Sequence, residues 1–469
     1  MKKRPKKDPV PTTKSATNKP NNTIVTAKFK DLIDIVLHEG ESHFLIKTAK
    51  GLEITKVYTA NNKTFTPPTI DQIPWQLCTG EEVIKATKEW HGDEVIANQR
   101  LFNSLVNYHK QVSELPREEY YYLLAAWDIH TYRQEDTYYS PEISFFAVAD
   151  RGKTRTGKGL VHAAYRGVRL ASMTEATIFR LSNNYGATLF FDLSDMRGQM
   201  KAKNSFDVLL NRFEKGGKIP RVLRPDKEAF KDMDFFDPFG ATVIATNTPL
   251  GNILESRCIE ISMTESDKVF ENEITEESAL PIRTRLLAFR AHYHGFPFPV
   301  TDKLFSSRLG DILRPLHTII AFVDPSKEEI FTKLAYVLKN ESVRNKSMSK
   351  EAEVLKTIIE LEGHVNQGKL AVSDIHTRFN QDKPERFHTS PNSIGNIVKS
   401  LGFYRNDRPR MSDGGAAIPW DKILLKNLAK SYGLEFMPYE RTEDSDDIPK
   451  TAGTIYTGDG PINLDNLGI

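Results

Sequence analysis

Cysteine is scarce: only Cys78 and Cys258 occur in 469 residues, far apart in the chain. That excludes a disulfide framework and a cysteine-based zinc site, and fits a reducing cytoplasm. Long apolar runs are missing as well; none approaches the roughly 18 residues that span a bilayer, so no membrane partner is expected. The N-terminal stretch MKKRPKKDPVPTTKSATNKPNNT is basic but lacks the apolar segment of a secretory signal. Net charge is small, because 64 basic and 62 acidic side chains leave +2. The total therefore neither favours nor excludes nucleic acid, and only local patches can decide.

What is present is a globular composition, 39% hydrophobic with 10% aromatic residues, long enough for two or three domains. Residues 1–23 read as a disordered basic arm, either solvated or touching phosphates. Residues 24–115 read as a small α+β region: SHFLIKTAKGLEITKVYTA alternates apolar and polar side chains, and helical stretches follow. In REEYYYLLAAWDIHTYRQE the apolar spacing is helical, so Tyr120, Tyr121, Tyr122 and Trp127 read as a buried helix face or as stacking platforms for bases. From 116 to 270 short apolar runs (ISFFAV, ATLFFD, ATVIAT, RCIEISM) alternate with helical segments, which predicts an α/β domain with a mainly parallel sheet. A helical lid is expected over 271–345, a winged helix over 346–437, and an irregular tail over 438–469.

The stretch ISFFAVADRGKTRTGKGLVHAAYRG (143–167) holds two Gly-Lys pairs. Either can end a phosphate-binding loop of the form G-x-x-x-x-G-K-[ST], set between a buried strand and a helix. One register uses Gly152, Gly157 and Lys158, but puts Gly159 where the metal-binding hydroxyl belongs. The other uses Gly152, Lys153 and Thr154 and supplies the hydroxyl, at the expense of Ala147 for the first glycine. The second is favoured, since alanine costs only backbone freedom when its φ is negative. Ala147, Asp150, Arg151, Gly152, Lys153, Thr154 and Lys158 form the candidate nucleotide-binding stretch, with ATP and Mg²⁺ as expected cofactors and Thr154 as a metal ligand.

Further candidates follow in order. ATLFFD ends in Asp192, placed to hold magnesium where a parallel strand ends. Leu193 stands where many ATPases carry a glutamate that activates water, and Asp195 can substitute if the chain turns helical there. ATVIATN ends in Asn247, a residue able to orient water. Arg257, in SRCIEI, is a candidate arginine finger reaching a neighbouring subunit, and Arg308, in SSRLGDILRPLH, a candidate contact of the sensor 2 kind.

In this order the residues resemble the AAA+-type P-loop ATPases. TEATIFRL (174–181), LLNRFEKGGKIPRVL (209–223) and RCIEISM (257–263) are similar to phage and mobile-element replicative ATPases of the primase-helicase type. The resemblance covers roughly 117–325. It implies that Lys153 and Thr154 bind phosphate and magnesium, Asp192 the metal and Asn247 the water. It also implies that Arg257 acts in trans within a homo-oligomeric ring, commonly a hexamer. Ala147 and Leu193 depart from the pattern, the second bearing on turnover.

Residues 371–415 have a helix-turn-helix pattern. Ile375 and Phe379 pack one helix; Ile394, Val398 and Leu401 pack the next, which opens at Thr389-Ser390-Pro391. Asn392, Ser393, Asn396 and Lys399 are expected to face outward, with Arg405, Arg408 and Arg410 on a wing touching DNA phosphates. Protein contacts are the alternative use of such a domain. These readings point to an ATP-dependent DNA helicase or translocase for replication of a phage or mobile element. Behind it stand an ATP-switched origin-binding or regulatory protein with little hydrolysis, and a metabolic kinase with an appended DNA-binding domain.

Overall fold

The computed structural model describes residues 23–436 except 173, 203–204, 223, 225–231 and 406. The expected basic arm, apart from Thr23, and the expected tail lie outside the described residues. The chain divides into two units between Leu334 and Ala335. No helix of the described residues is long and apolar enough to cross a membrane.

The first unit opens with six short strands: β1 (Thr23–Val25), β2 (Leu32–His38), β3 (Glu41–Thr48), β4 (Gly51–Thr55), β5 (Tyr58–Ala60) and β6 (Lys63–Thr66). β2, β3 and β4 form an antiparallel sheet, and β6 joins β5 antiparallel and β1 parallel. The β2–β3 turn places Glu39 and Gly40 at φ 48° and 80°, the left-handed pair that matches the twist of a two-residue hairpin. Helices α1 (Gly80–Ala86), α2 (Glu94–Val112) and α3 (Glu119–Thr131) follow. In α3, Tyr120, Tyr121 and Trp127 are buried, and the Trp127 indole donates to the Pro141 carbonyl at 2.7 Å. These aromatics are core.

The centre is a five-stranded parallel sheet of β7 (Glu142–Phe146), β8 (Gly167–Leu170), β9 (Thr188–Asp192), β12 (Thr242–Thr246) and β13 (Cys258–Ser262), in the order β13-β7-β12-β9-β8. Between β9 and β12 the chain forms an antiparallel pair, β10 (Ile219–Val222) and β11 (Met233–Phe236). The four apolar runs of the sequence are all strands. Edge strand β8 and the β10–β11 pair carry no comparable run, being four residues each with alternating or exposed positions, too short for periodicity to mark.

Helices α4 (Lys153–Ala163), α5 (Glu175–Tyr185), α6 (Met196–Ala202), α7 (Phe206–Leu210) and α8 (Asn252–Glu255) connect the strands; α9 (Glu276–His292), α10 (Arg308–Val323) and α11 (Glu328–Ser347) follow. Thr174 caps α5 by accepting from the Thr177 N–H, and left-handed Gly186 (φ 62°) closes it, as start and stop chemistry dictates.

The second unit holds α12 (Lys350–Glu360), β14 (Lys369–Ala371), α13 (Val372–Asn380), α14 (Pro391–Ser400), β15 (Ala417–Pro419) and α15 (Lys422–Tyr432). Four helices surround a core that includes Ile375, Phe379, Ile394, Val398 and Leu401, with the antiparallel β14–β15 pair alongside. Buried Asn380 ties the end of α13 to the start of α14: its side chain accepts from the Thr389 N–H at 2.8 Å and donates to the Thr389 carbonyl at 3.0 Å.

Candidate functional site

β7 ends at Phe146 and α4 begins at Lys153, so six residues join them. Ala147 is buried and its N–H donates to the Thr246 carbonyl at 3.4 Å, continuing the strand for one residue. The chain then turns through two left-handed positions, Asp150 at φ 62° and Gly152 at φ 74°. Aspartate tolerates such a φ and glycine favours it. The first helical bond runs from the Thr156 N–H to the Gly152 carbonyl at 2.9 Å. The N–H groups of Lys153, Thr154 and Arg155 are therefore first-turn donors without intrahelical partners, at the positive end of the helix dipole.

Around that helix start the side chains converge. Lys153 donates to the Val148 carbonyl at 3.0 Å. The Thr154 hydroxyl donates to Asp192 Oδ1 at 2.9 Å, across 38 residues of sequence, and Arg169 Nη2 donates to Asp192 Oδ2 at 2.8 Å. A cleft of about 280 Å³ opens here, lined by residues 150–155, Lys158, Glu273 and Ile274. Its far wall is held by Arg155, which donates to the Val112 carbonyl and to the Asn272 carbonyl, each at 2.6 Å. Arg151 pairs with Glu265 on the same side.

The second Gly-Lys pair lies inside the helix. A methyl on Gly157 would come within 2.4 Å of the Phe190 ring, and one on Gly159 within 2.5 Å of Val112. Both glycines let α4 sit close on its neighbours, and the Tyr108 hydroxyl donates to the Gly159 carbonyl at 2.9 Å. Lys158 lies in the second turn, at the cleft mouth.

Beyond Asp192 the chain does turn helical. Asp195 caps α6, its Oδ1 accepting from the Gly198 N–H at 2.9 Å. The neighbouring Leu193 is 5% exposed, in the core. Asn247 is exposed, and its N–H donates to the Ser194 carbonyl at 3.2 Å, which holds the ends of β9 and β12 together.

Arg257 and Arg308 lie elsewhere. The register pairs Cys258 with Glu142, so Arg257 stands where the parallel strands begin, while Gly152 and Asp192 lie where they end. Five residues of strand separate the two levels, about 16 Å of rise. Arg257 donates to the Ile253 carbonyl at 2.6 Å and Arg308 to the Ser256 hydroxyl at 2.9 Å. Burial, and Arg308 nearby, hold the Arg257 guanidinium below its ordinary range. Arg308 thus groups with Arg257 rather than with Lys153.

In the second unit Asn392, Asn396 and Lys399 are exposed along α14, opposite buried Ile394 and Val398, while Ser393 is half-buried. Arg405, Arg408 and Arg410 are exposed. Arg408 lies over the Tyr404 ring at 5.4 Å, and Arg410 bridges to Ala416, so residues 410–416 double back.

Sequence reasoning missed Arg169, Arg155 and the segment bearing Glu273. Nothing in the sequence marks them, because Arg155 and Glu273 reach the cleft, and Arg169 reaches Asp192, through elements whose placement depends on long-range packing.

No protein-family model and no curated protein matches the chain. Among solved structures 19 chains match. One is the A-form apo structure of the NrS-1 C-terminal region, 11% identical, covering 82% of this chain and 96% of that one with a TM-score of 0.32. A superposition so loose does not by itself define a shared fold.

Proposed function

We propose that the first unit is a P-loop ATPase core and that the chain acts as an ATP-dependent DNA helicase or translocase in the replication of a phage or mobile element. The contact between Thr154 and Asp192, 2.9 Å long at the first turn of α4, carries the ATPase reading. A hydroxyl and a carboxylate beside free backbone donors are hard oxygen ligands next to an anion site, a donor set that fits magnesium and a polyphosphate. Bound magnesium would neutralise charge on the phosphate oxygens.

In this reading the N–H groups of Lys153–Arg155 and the Lys153 ammonium take the phosphates, Lys153 leaving the Val148 carbonyl to do so. Thr154 spends its one proton on Asp192, which leaves its oxygen lone pairs free for the metal. Asn247 orients the attacking water, and Asp195, already a helix cap, is a carboxylate close in sequence to Asp192 that can assist it. Arg257 and Arg308 sit about a strand's length from their own chain's cleft, which supports action on the nucleotide of a neighbouring copy in a ring. The second unit supplies a winged helix: Asn392, Asn396 and Lys399 meet base edges, with Ser393 at their margin, and Arg405, Arg408 and Arg410 meet phosphates.

Buried Leu193 favours a second reading, in which ATP drives assembly on DNA and turns over little. DNA-stimulated hydrolysis and strand displacement separate the two. The helicase reading expects both from wild type, and neither from Lys153→Ala. Assembly with a non-hydrolysable analogue but no displacement with ATP selects the second. If only Lys158→Ala abolishes hydrolysis, the loop assignment is wrong.

A further inference from the structure

Asp192 is gripped from two sides. Thr154 holds Oδ1 from the helix start, and Arg169 holds Oδ2 from edge strand β8, where it pairs in register with Phe190 one strand away. The carboxylate side chain is 18% exposed and the arginine side chain 44%, so the pair is only partly screened by solvent. Arg169 is the cation paired with Asp192, at 2.8 Å.

This has two physical consequences. With both oxygens engaged the carboxylate is held in one orientation, each oxygen keeping a lone pair for a metal or a metal-bound water. A guanidinium on the far side also repels an arriving divalent cation. A lone carboxylate would attract magnesium whether or not nucleotide is bound; a carboxylate already paired with arginine attracts it weakly until the negative triphosphate adds its charge.

We infer that Arg169 is a positioning residue of the metal site, fixing Asp192 and offsetting its charge so that magnesium binds together with nucleotide rather than ahead of it. The inference rests on the nucleotide-site reading above. Its test is the binding of a fluorescent ATP analogue over graded Mg²⁺, and of Mn²⁺ alone as a metal probe, in wild type, Arg169→Gln, Arg169→Lys and Lys153→Ala. Arg169→Gln keeps a hydrogen-bond donor but removes the charge, and is expected to lower the Mg²⁺ midpoint roughly tenfold and to tighten Mn²⁺ binding without nucleotide. Arg169→Lys keeps the charge and is expected to retain the wild-type midpoint. If Arg169→Gln leaves the midpoint unchanged or raises it while Lys153→Ala loses the analogue, the inference alone is overturned. If Lys153→Ala binds the analogue as wild type does, the nucleotide-site reading fails and takes the inference with it.

Discussion

The two ends of the central sheet carry similar charges and use them differently. Where the strands end, Asp192, Arg169, Lys153 and Thr154 are paired with one another or with a single carbonyl, the last two lining a cleft. Where they begin, Arg212 is fully buried and donates to the carbonyls of Ala187, Pro238 and Ala241 and to the hydroxyls of Thr242 and Ser182. Glu142 is buried beside it, with Oε1 unpartnered among the described residues. Burial pushes the Glu142 pKa up to about 8 and the Arg212 pKa down to about 10. One end has partners that a ligand can replace; the other has a buried arginine and a protonated carboxyl locked into the frame.

The largest expected effect tests the locked end. Arg212→Met should cost about 3 to 5 kcal/mol of stability, because five acceptors lose one donor group together; denaturant unfolding measures it, and a loss below about 1 kcal/mol would make the arginine dispensable. At the exchangeable end Lys153→Ala should weaken binding of an ATP analogue roughly 100-fold, with little change in melting temperature. If it unfolds the protein instead, the contrast between the ends disappears.

Glu142 gives a pH signature. The folded chain holds its proton from about 4.5 to about 8, whereas the unfolded chain releases it near 4.5, so stability is full below that range and declines toward pH 8. Glu142→Gln should flatten the dependence and gain on the order of 2 kcal/mol at pH 8, read as melting temperature against pH. Gly157→Ala should cost about 1 to 3 kcal/mol by overpacking the Phe190 ring, a thermal shift with nucleotide affinity nearly kept. The smallest effect is expected of Lys158→Ala, within about threefold of wild-type affinity for the analogue; a loss as large as that of Lys153→Ala would reassign the loop.

Some of this was legible beforehand. The four apolar runs became the strands β7, β9, β12 and β13, and Tyr120, Tyr121 and Trp127 of α3 became core while Tyr122 is half-buried. Asp192 came to Thr154 as the ending of ATLFFD led one to expect. Arg212 falls within the run LLNRFEKGGKIPRVL, and its role as a buried clamp has no sequence mark. The outward set on α14 stands except at Ser393, whose position near the helix start leaves it half-buried.

Sequence alone narrowed the start of α4 to two Gly-Lys registers and favoured the one at Lys153, since a glycine after a buried strand and a Lys-Thr pair at a helix start are local chemistry. Only the tertiary structure decided what each lysine and carboxylate faces. Gly157 and Gly159 became packing surfaces because Phe190 and Val112 lie against them, and Arg169 became a partner of Asp192 because β8 settles at the sheet edge beside β9. Those partners lie 23 to 47 residues away along the chain, beyond the reach of any local pattern.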